Sequence, residues 1–158
     1  MTSSQENNEL KERIEATVKS YITCFIDARA QNDTSLVNRN TAPDCTRQML
    51  PSPLRGGATM TNDDYEKVIA HGLQLGGMYG HNATDLVIDV GNRKVAVTTV
   101  ANFVFKNGDK VAMDFAWFLH LNDDGSKITK IVEFVDSDLF LKVKAKMEVI
   151  AKEGVKEE

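Results

Sequence analysis

The chain predicts an α+β fold in which helices are segregated on one side of a curved antiparallel sheet. Three observations carry this. Leu10, Ile14, Val18, Tyr21, Ile22, Phe25 and Ile26 follow a helical stripe. Four later stretches, Ala83 to Val90, Lys94 to Phe105, Lys110 to Asn122 and Ser126 to Ser137, read as strands in succession. Gly91-Asn92, Asn107-Gly108 and Asp124-Gly125 lie at the breaks between them, where positive φ makes hairpin turns.

The elements follow in order. Ser3-x-x-Glu6 resembles a capping box for the first helix, which runs to about Ala30. Gln31-Asn-Asp breaks it, and Thr34 to Asn38 reads as a short helical turn. Pro43 and Pro51 bracket a short extended piece, since neither suits a helix interior or a central strand. Ser52 to Met60 reads as a loop that includes the Gly56-Gly57 pair. Thr61-x-x-Asp64 caps a further helix carrying Tyr65, Val68, Ile69 and Leu73, and Gly76-Gly77 is expected to end it. Phe140, Val143, Met147 and Ile150 mark a closing helix, and Lys152 to Glu158 reads as a frayed charged tail.

Composition narrows the class. At 158 residues, 42% hydrophobic and 27% charged, the chain suits one globular domain. The net charge of -4 leaves no basic footprint for nucleic acid. No apolar run reaches the ~20 residues of a membrane span, and the polar N-terminus does not read as a signal peptide. The cytoplasm is the expected location. Cys24 and Cys45 have neither metal-ligand spacing nor a disulfide framework and read as small buried thiols. No phosphate loop, dinucleotide fingerprint, nucleophile elbow or His/Cys metal constellation is present, so no cofactor and no metal are expected.

The strand Lys127 to Ser137 carries Glu133 and Asp136 among Ile128, Ile131, Val132, Phe134 and Val135. A carboxylate there either lines a cavity and does chemistry or is solvated or paired, because burial alone is costly.

Three segments carry a resemblance: Ala42-Pro-Asp-Cys-Thr-Arg-Gln-Met-Leu-Pro51, Met113-Asp-Phe-Ala-Trp-Phe-Leu-His-Leu121 and Lys127-Ile-Thr-Lys-Ile-Val-Glu-Phe-Val-Asp-Ser137. With the element order, they make the chain resemble the nuclear-transport-factor-2-like superfamily. Within it the chain looks most like small fungal SnoaL-like proteins, which include isomerases and cyclases of polyketide and meroterpenoid pathways. The resemblance implies a cone-shaped α+β domain across 1–158, ordered from about 8 to 150, with three N-terminal helices and a C-terminal one. Two positions depart from the fungal pattern. Arg47 stands where His is usual, which replaces a titratable group by a permanent cation. Met113-Asp114-Phe115 stands where Asn-Glu-Tyr is frequent.

The resemblance implies that Glu133 points into the cone, as proton carrier in an apolar cavity. The competing reading is an ion pair with Arg47 or a lysine. Asp136 is a second candidate acid, although it or Ser137 can cap the closing helix. Asp114 replaces the family Glu, but alternation opposes it to Trp117 and sets it on the convex face. Arg47 holds charge near the cone mouth or pairs with Asp44 or Glu133. Trp117, Tyr65, Asn102, His71, Tyr21 and His81 are the candidate substrate contacts. His71 is placed on the third helix and His81 in a loop after Gly80. The tyrosines and Asn102 can equally serve as satisfied core groups.

The resemblance implies a cofactor-independent isomerase or cyclase, or a dehydratase-like lyase, acting on a hydrophobic polyketide or terpenoid intermediate of fungal secondary metabolism. The alternative is a non-catalytic ligand-binding or protein-interaction module. An enzyme requires Glu133 and a second polar group to converge on one cavity, whereas a cavity filled by Phe and Met argues for the alternative. Val95, Val97, Val100, Phe103 and Phe105 are read as apolar on both faces of one strand, and a homodimer is expected.

Overall fold

The computed structural model describes residues 3–55 and 58–154. Helix α1 (Ser3–Gln31) buries Ile14, Val18, Tyr21, Ile22 and Phe25, the stripe its period predicts. Ser3 lies inside the helix rather than ahead of it. The helix stops where Asn32 takes a φ of 50°, a conformation Asn tolerates better than most residues. Asp33 then caps a 3-10 turn at Thr34–Asn38, its carboxylate accepting from the Ser35 N–H at 3.0 Å.

Strand β1 (Thr41–Leu50) is longer than the two prolines led us to expect. It lies between β2 (Thr59–Met60) and β6 (Ile128–Val135), in a six-stranded sheet of order β2-β1-β6-β5-β4-β3, where β3 is Gly76–Asp89, β4 Lys94–Phe105 and β5 Lys110–Leu121. Pro43 is therefore inside a strand that has neighbours on both sides. It is tolerated because the ladder to β6 slips between Thr41 and Thr46, and β2 pairs only with Arg47 and Gln48. The β1–β6 pair is parallel, which makes the sheet mixed. A second 3-10 turn, Ser52–Arg55, precedes β2.

Helix α2 (Asn62–Leu73) opens with the predicted capping box. The Thr61 hydroxyl accepts from the Asp64 N–H at 3.2 Å, and the Asp64 carboxylate accepts from the Thr61 N–H at 3.4 Å. Gly76-Gly77 does not end this helix. The pair opens β3 (Gly76–Asp89), which begins well before the expected Ala83. A Cβ on Gly76 would stand 2.6 Å from the Val104 carbonyl oxygen, so a side chain there would collide with the neighbouring strand. His81 is accordingly a strand residue, not a loop residue.

Strands β4 (Lys94–Phe105) and β5 (Lys110–Leu121) complete the predicted antiparallel meander β3 to β6. Gly108 and Gly125 take φ of 91° and 73°, as their turns require. In the first hairpin Arg93, at φ 52°, takes the left-handed position instead of Gly91 or Asn92. Gly125 also lets its turn sit on α1: a Cβ would stand 2.7 Å from Ile14 Cγ1. The Thr17 hydroxyl donates to the Gly125 carbonyl at 2.8 Å.

The sheet curls without closing, and α1 and α2 cover its concave face. Alternation is clean. Val95, Val97, Thr99 and Ala101, with Met113, Phe115, Trp117 and Leu119, are buried on the covered face. Val95, Val97, Phe103 and Phe105 share one parity, so only Val100 of that set belongs to the open face. The large exposed apolar residues of the open face are instead Val87, Phe118 and Phe134.

Helix α3 (Ser137–Gly154) rests on a smaller cluster separate from the main core, in which Val143, Met147 and Ile150 meet Phe103, Phe105 and Val111. Lys146 ties it to Asp109 of the β4–β5 turn. Lys152 to Gly154 are still helical. The Gly56-Gly57 pair and the last four residues of the expected tail lie outside the described residues. Among the described residues no helix is long and apolar enough to cross a membrane.

Candidate functional site

Register decides which acid looks inward. Glu133 pairs with Trp117 of β5 and with Met49 of β1, and both partners are buried on the covered face. Directly paired residues share a face. Glu133 is thus on the concave side with Ile131 and Val135, half-buried. Its charge acts on two phenols. Burial, then the Glu133 charge, holds the Tyr65 hydroxyl well above its ordinary pKa. Tyr21 is raised mainly by burial.

Arg47 is on the same face, 3% exposed. Its guanidinium donates to the Tyr21 hydroxyl at 3.0 Å, to the Val37 carbonyl at 3.2 Å and to the Asn38 side-chain oxygen at 2.8 Å. Its Cζ lies 3.9 Å from the Tyr65 ring centroid, a close cation–π contact. Arg47 Nε is buried without a hydrogen-bond partner among the described residues. The alternative of an ion pair with Asp44 does not form, because Asp44 is on the exposed face of β1. Burial also raises the thiols, Cys24 to about 12 and Cys45 to about 11, which favours the protonated thiol over the nucleophilic thiolate.

A second polar chain runs beside this cluster. His81 Nδ1 lies 2.7 Å from the Ile22 carbonyl oxygen, and Nε2 lies 2.8 Å from the Thr99 hydroxyl. A carbonyl only accepts, so Nδ1 carries the proton. Nε2 of the neutral ring then accepts from Thr99, whose oxygen in turn accepts from Trp117 Nε1 at 2.9 Å. Burial pushes His81 down to about 4, in keeping with a neutral ring. Both of its nitrogens are committed to protein groups, so the expected substrate contact fails.

Other candidates fall elsewhere. Asn102 faces outward, with its amide against Gly80, and does not line the concave interior. Asp114 is exposed on the open face, as alternation requires. Asp136 caps α3, accepting from the Leu139 N–H at 3.1 Å. Asp114 and Asp136 edge one shallow groove on the open face, away from Glu133. The catalytic role expected of either acid beside Glu133 has no geometric support, and for Asp114 the convex placement that alternation implied is the one observed. Tyr79 is exposed, with the Lys110 ammonium 5.0 Å from its ring.

An apolar cavity of about 250 Å³ is under α3 and is walled by Phe25, Met78, Phe103, Met113, Phe140 and Met147. His71 is at its edge, on the last turn of α2. Glu133 is not among the lining residues. Phe25 stands between cavity and polar cluster, its ring 5.9 Å from Trp117 and 6.4 Å from Tyr65. Thr99 was not among the expected residues; the signal that could have found it is a polar residue at a buried-face position of β4. Nothing local signalled the cavity, whose walls come from α1, α2, three strands and α3. Among the described residues no cluster of His, Cys, Asp or Glu could hold a metal ion.

The fold is the nuclear-transport-factor-2-like fold, in agreement with the sequence resemblance. No protein-family model and no curated protein sequence matches the chain. Solved structures do. The BvnE pinacolase from Penicillium brevicompactum superposes with a TM-score of 0.77 at 18% identity, over 94% of this chain and 97% of that one. PrhC from Penicillium brasilianum gives 0.74 at 15% identity, over 89% and 91%. An NTF2-like protein of unknown function from Burkholderia pseudomallei gives 0.61 at 14% identity, over 82% and 95%.

Proposed function

We propose that the covered face binds a hydrophobic small molecule and that Glu133 moves a proton on it. The chain would then be a cofactor-independent isomerase or cyclase for a polyketide or terpenoid intermediate of fungal secondary metabolism. The observation that carries this is the convergence of Glu133, Tyr21, Tyr65 and the buried Arg47 on the concave side. A carboxylate removes a proton from carbon beside a carbonyl and returns it to another atom. No oxidant or cofactor enters that balance. Arg47 holds the Tyr21 oxygen as an acceptor, so the phenol proton is the group that would donate to the oxygen that becomes negative. The likeness to a pinacolase and to another Penicillium protein is a likeness of fold, and it agrees with this reading.

The test is deuterium exchange into a panel of small apolar ketones, followed by proton NMR in heavy water. Glu133→Gln should reduce exchange at least ~100-fold, the lower end for general acid–base catalysis, with an unchanged unfolding midpoint. Exchange that survives the substitution would remove Glu133 from the reaction.

One observation favours the non-catalytic alternative. The apolar cavity is lined by Phe and Met and does not include Glu133. A pure binding module would retain the ketones in saturation-transfer NMR and exchange none of their protons.

The open face supports a second copy as partner. Val87, Phe118 and Phe134 are large apolar residues exposed there. Lys94, His120 and Lys130 form a paired row beyond one end of this patch, and Asp114 and Asp136 lie beyond the other. A two-fold axis through the patch would lay the basic row of one copy on the acidic end of the other.

A further inference from the structure

We infer that the cavity under α3 takes a small amphipathic anion, with its apolar body inside and its carboxylate-like head at Lys144 and His71. This deepens the small-molecule reading of the covered face and rests on it, but not on proton transfer by Glu133. Three observations carry it. The interior wall is apolar, from Phe25, Met78, Phe103, Met113 and Met147, and offers a ligand body only dispersion and burial. At about 250 Å³ the cavity is below the ~300–1,000 Å³ of most small-molecule pockets, which points to a short chain or one or two rings. The third observation is charge.

Acids outnumber bases in this chain by 23 to 19, yet among the described residues the ionisable groups lining the cavity, His71 and Lys144, are both bases. They come from the two helices that flank it, His71 from the last turn of α2 and Lys144 from α3. Both are exposed, so an anionic head held there remains hydrated while its body is buried. The neighbouring lysines are engaged: Lys142 holds Asp138 and Lys146 holds Asp109. Lys144 has no ion pair among the described residues. An ammonium at the rim of an apolar cavity, with no ion-pair partner among the described residues, is complementary to a ligand that brings one.

Three probes of equal chain length separate head from body: decanoate, decanol and decyltrimethylammonium, titrated into the full chain by calorimetry at fixed ionic strength. Decanoate should bind at least ten times more tightly than decanol, and the cation more weakly than either. Lys144→Glu should abolish that preference while decanol binding is kept, and His71→Gln should reduce it. Both residues are exposed, so neither change threatens the fold. Equal binding of the three probes would overturn the head-group assignment and leave the small-molecule reading standing. So would a decanoate preference that survives both substitutions. No binding of any probe would overturn both.

Discussion

His81 Nε2 and the Thr99 hydroxyl lie 2.8 Å apart, and with Ile22 on Nδ1 this contact keeps the imidazole neutral inside the core. Protonation would force Thr99 to turn its own hydrogen away and would place an unpaired charge among Phe25, Phe115 and Trp117. Burial accordingly holds His81 at about 4, against an ordinary 6.5.

The consequence for stability has a definite sign. Between about pH 4 and 6.5 the unfolded chain binds a proton at His81 that the native chain refuses. Stability therefore rises with pH across this window and is lost as pH falls through it. The full shift corresponds to about 3 kcal/mol. Exposed carboxylates with lowered pKa, such as Asp89 and Asp124, weaken the fold only at still lower pH. Urea unfolding at pH 7 and pH 4.5 should show most of the loss in wild type, and His81→Gln should flatten it. An equal slope in both proteins would show that His81 is not the titrating group.

Thr99→Val keeps the shape and removes the hydroxyl that serves both His81 and Trp117. Each is left with an unsatisfied buried polar atom, and the expected cost is about 2–4 kcal/mol. Thr98→Val, one residue away on the exposed face, should cost under ~0.5 kcal/mol. Similar urea midpoints for the two variants would contradict the inward network.

How much of this was legible depends on whether its cause is local. The α1 stripe and the opposition of Asp114 to Trp117 follow from periods of 3.6 and two, which neighbouring residues alone display. The capping box at Thr61 and Asp64 is likewise written within four residues. The start of β3 was hidden, because Gly76 answers to the backbone of Val104 on another strand. His81 was misplaced for a similar reason: one of its partners, Ile22, is 59 residues away. Asn102 was misassigned through parity, since it alternates with the buried Ala101 and belongs to the other face.

Arg47 tests what a buried charge contributes here. Arg47→Ala leaves the Val37 carbonyl, the Asn38 oxygen and the Tyr21 hydroxyl without their donor and opens a void over Tyr65. A loss of about 3–5 kcal/mol is expected. Arg47→Met refills the space and removes the charge together with its unsatisfied Nε, so it should cost clearly less. If urea unfolding finds the two equal, the guanidinium hydrogen bonds and not the packing dominate.

Two glycines should respond oppositely to alanine. Gly72 is in the last turn of α2, and a methyl group there would meet nothing within 4 Å. Gly72→Ala should stabilise by up to ~1 kcal/mol through helix propensity. Gly76→Ala drives a methyl group to 2.6 Å from backbone of β4. It should cost about 1–3 kcal/mol. Thermal melts of the pair decide this, and a neutral Gly76→Ala would mean that the two strands can separate there without loss.

The open face makes the remaining prediction, about association. Phe118 is 46% exposed at the middle of the apolar patch, with Ala96 and Val132 paired on either side of it. Phe118→Asp should convert a dimer to a monomer in sedimentation equilibrium while the unfolding midpoint of the monomer is retained. Reversing the basic row alone, Lys94→Glu with Lys130→Glu, should weaken association about tenfold or more, because like charges then face each other across the axis. Adding Asp114→Lys to that variant should recover part of the loss, since the two ends are again opposite in sign. The recovery should fade at high salt, where charges separated by more than a Debye length are screened. A wild-type chain that sediments as a monomer at all concentrations would end this reading, and a dimer indifferent to Phe118→Asp would move the interface to another face.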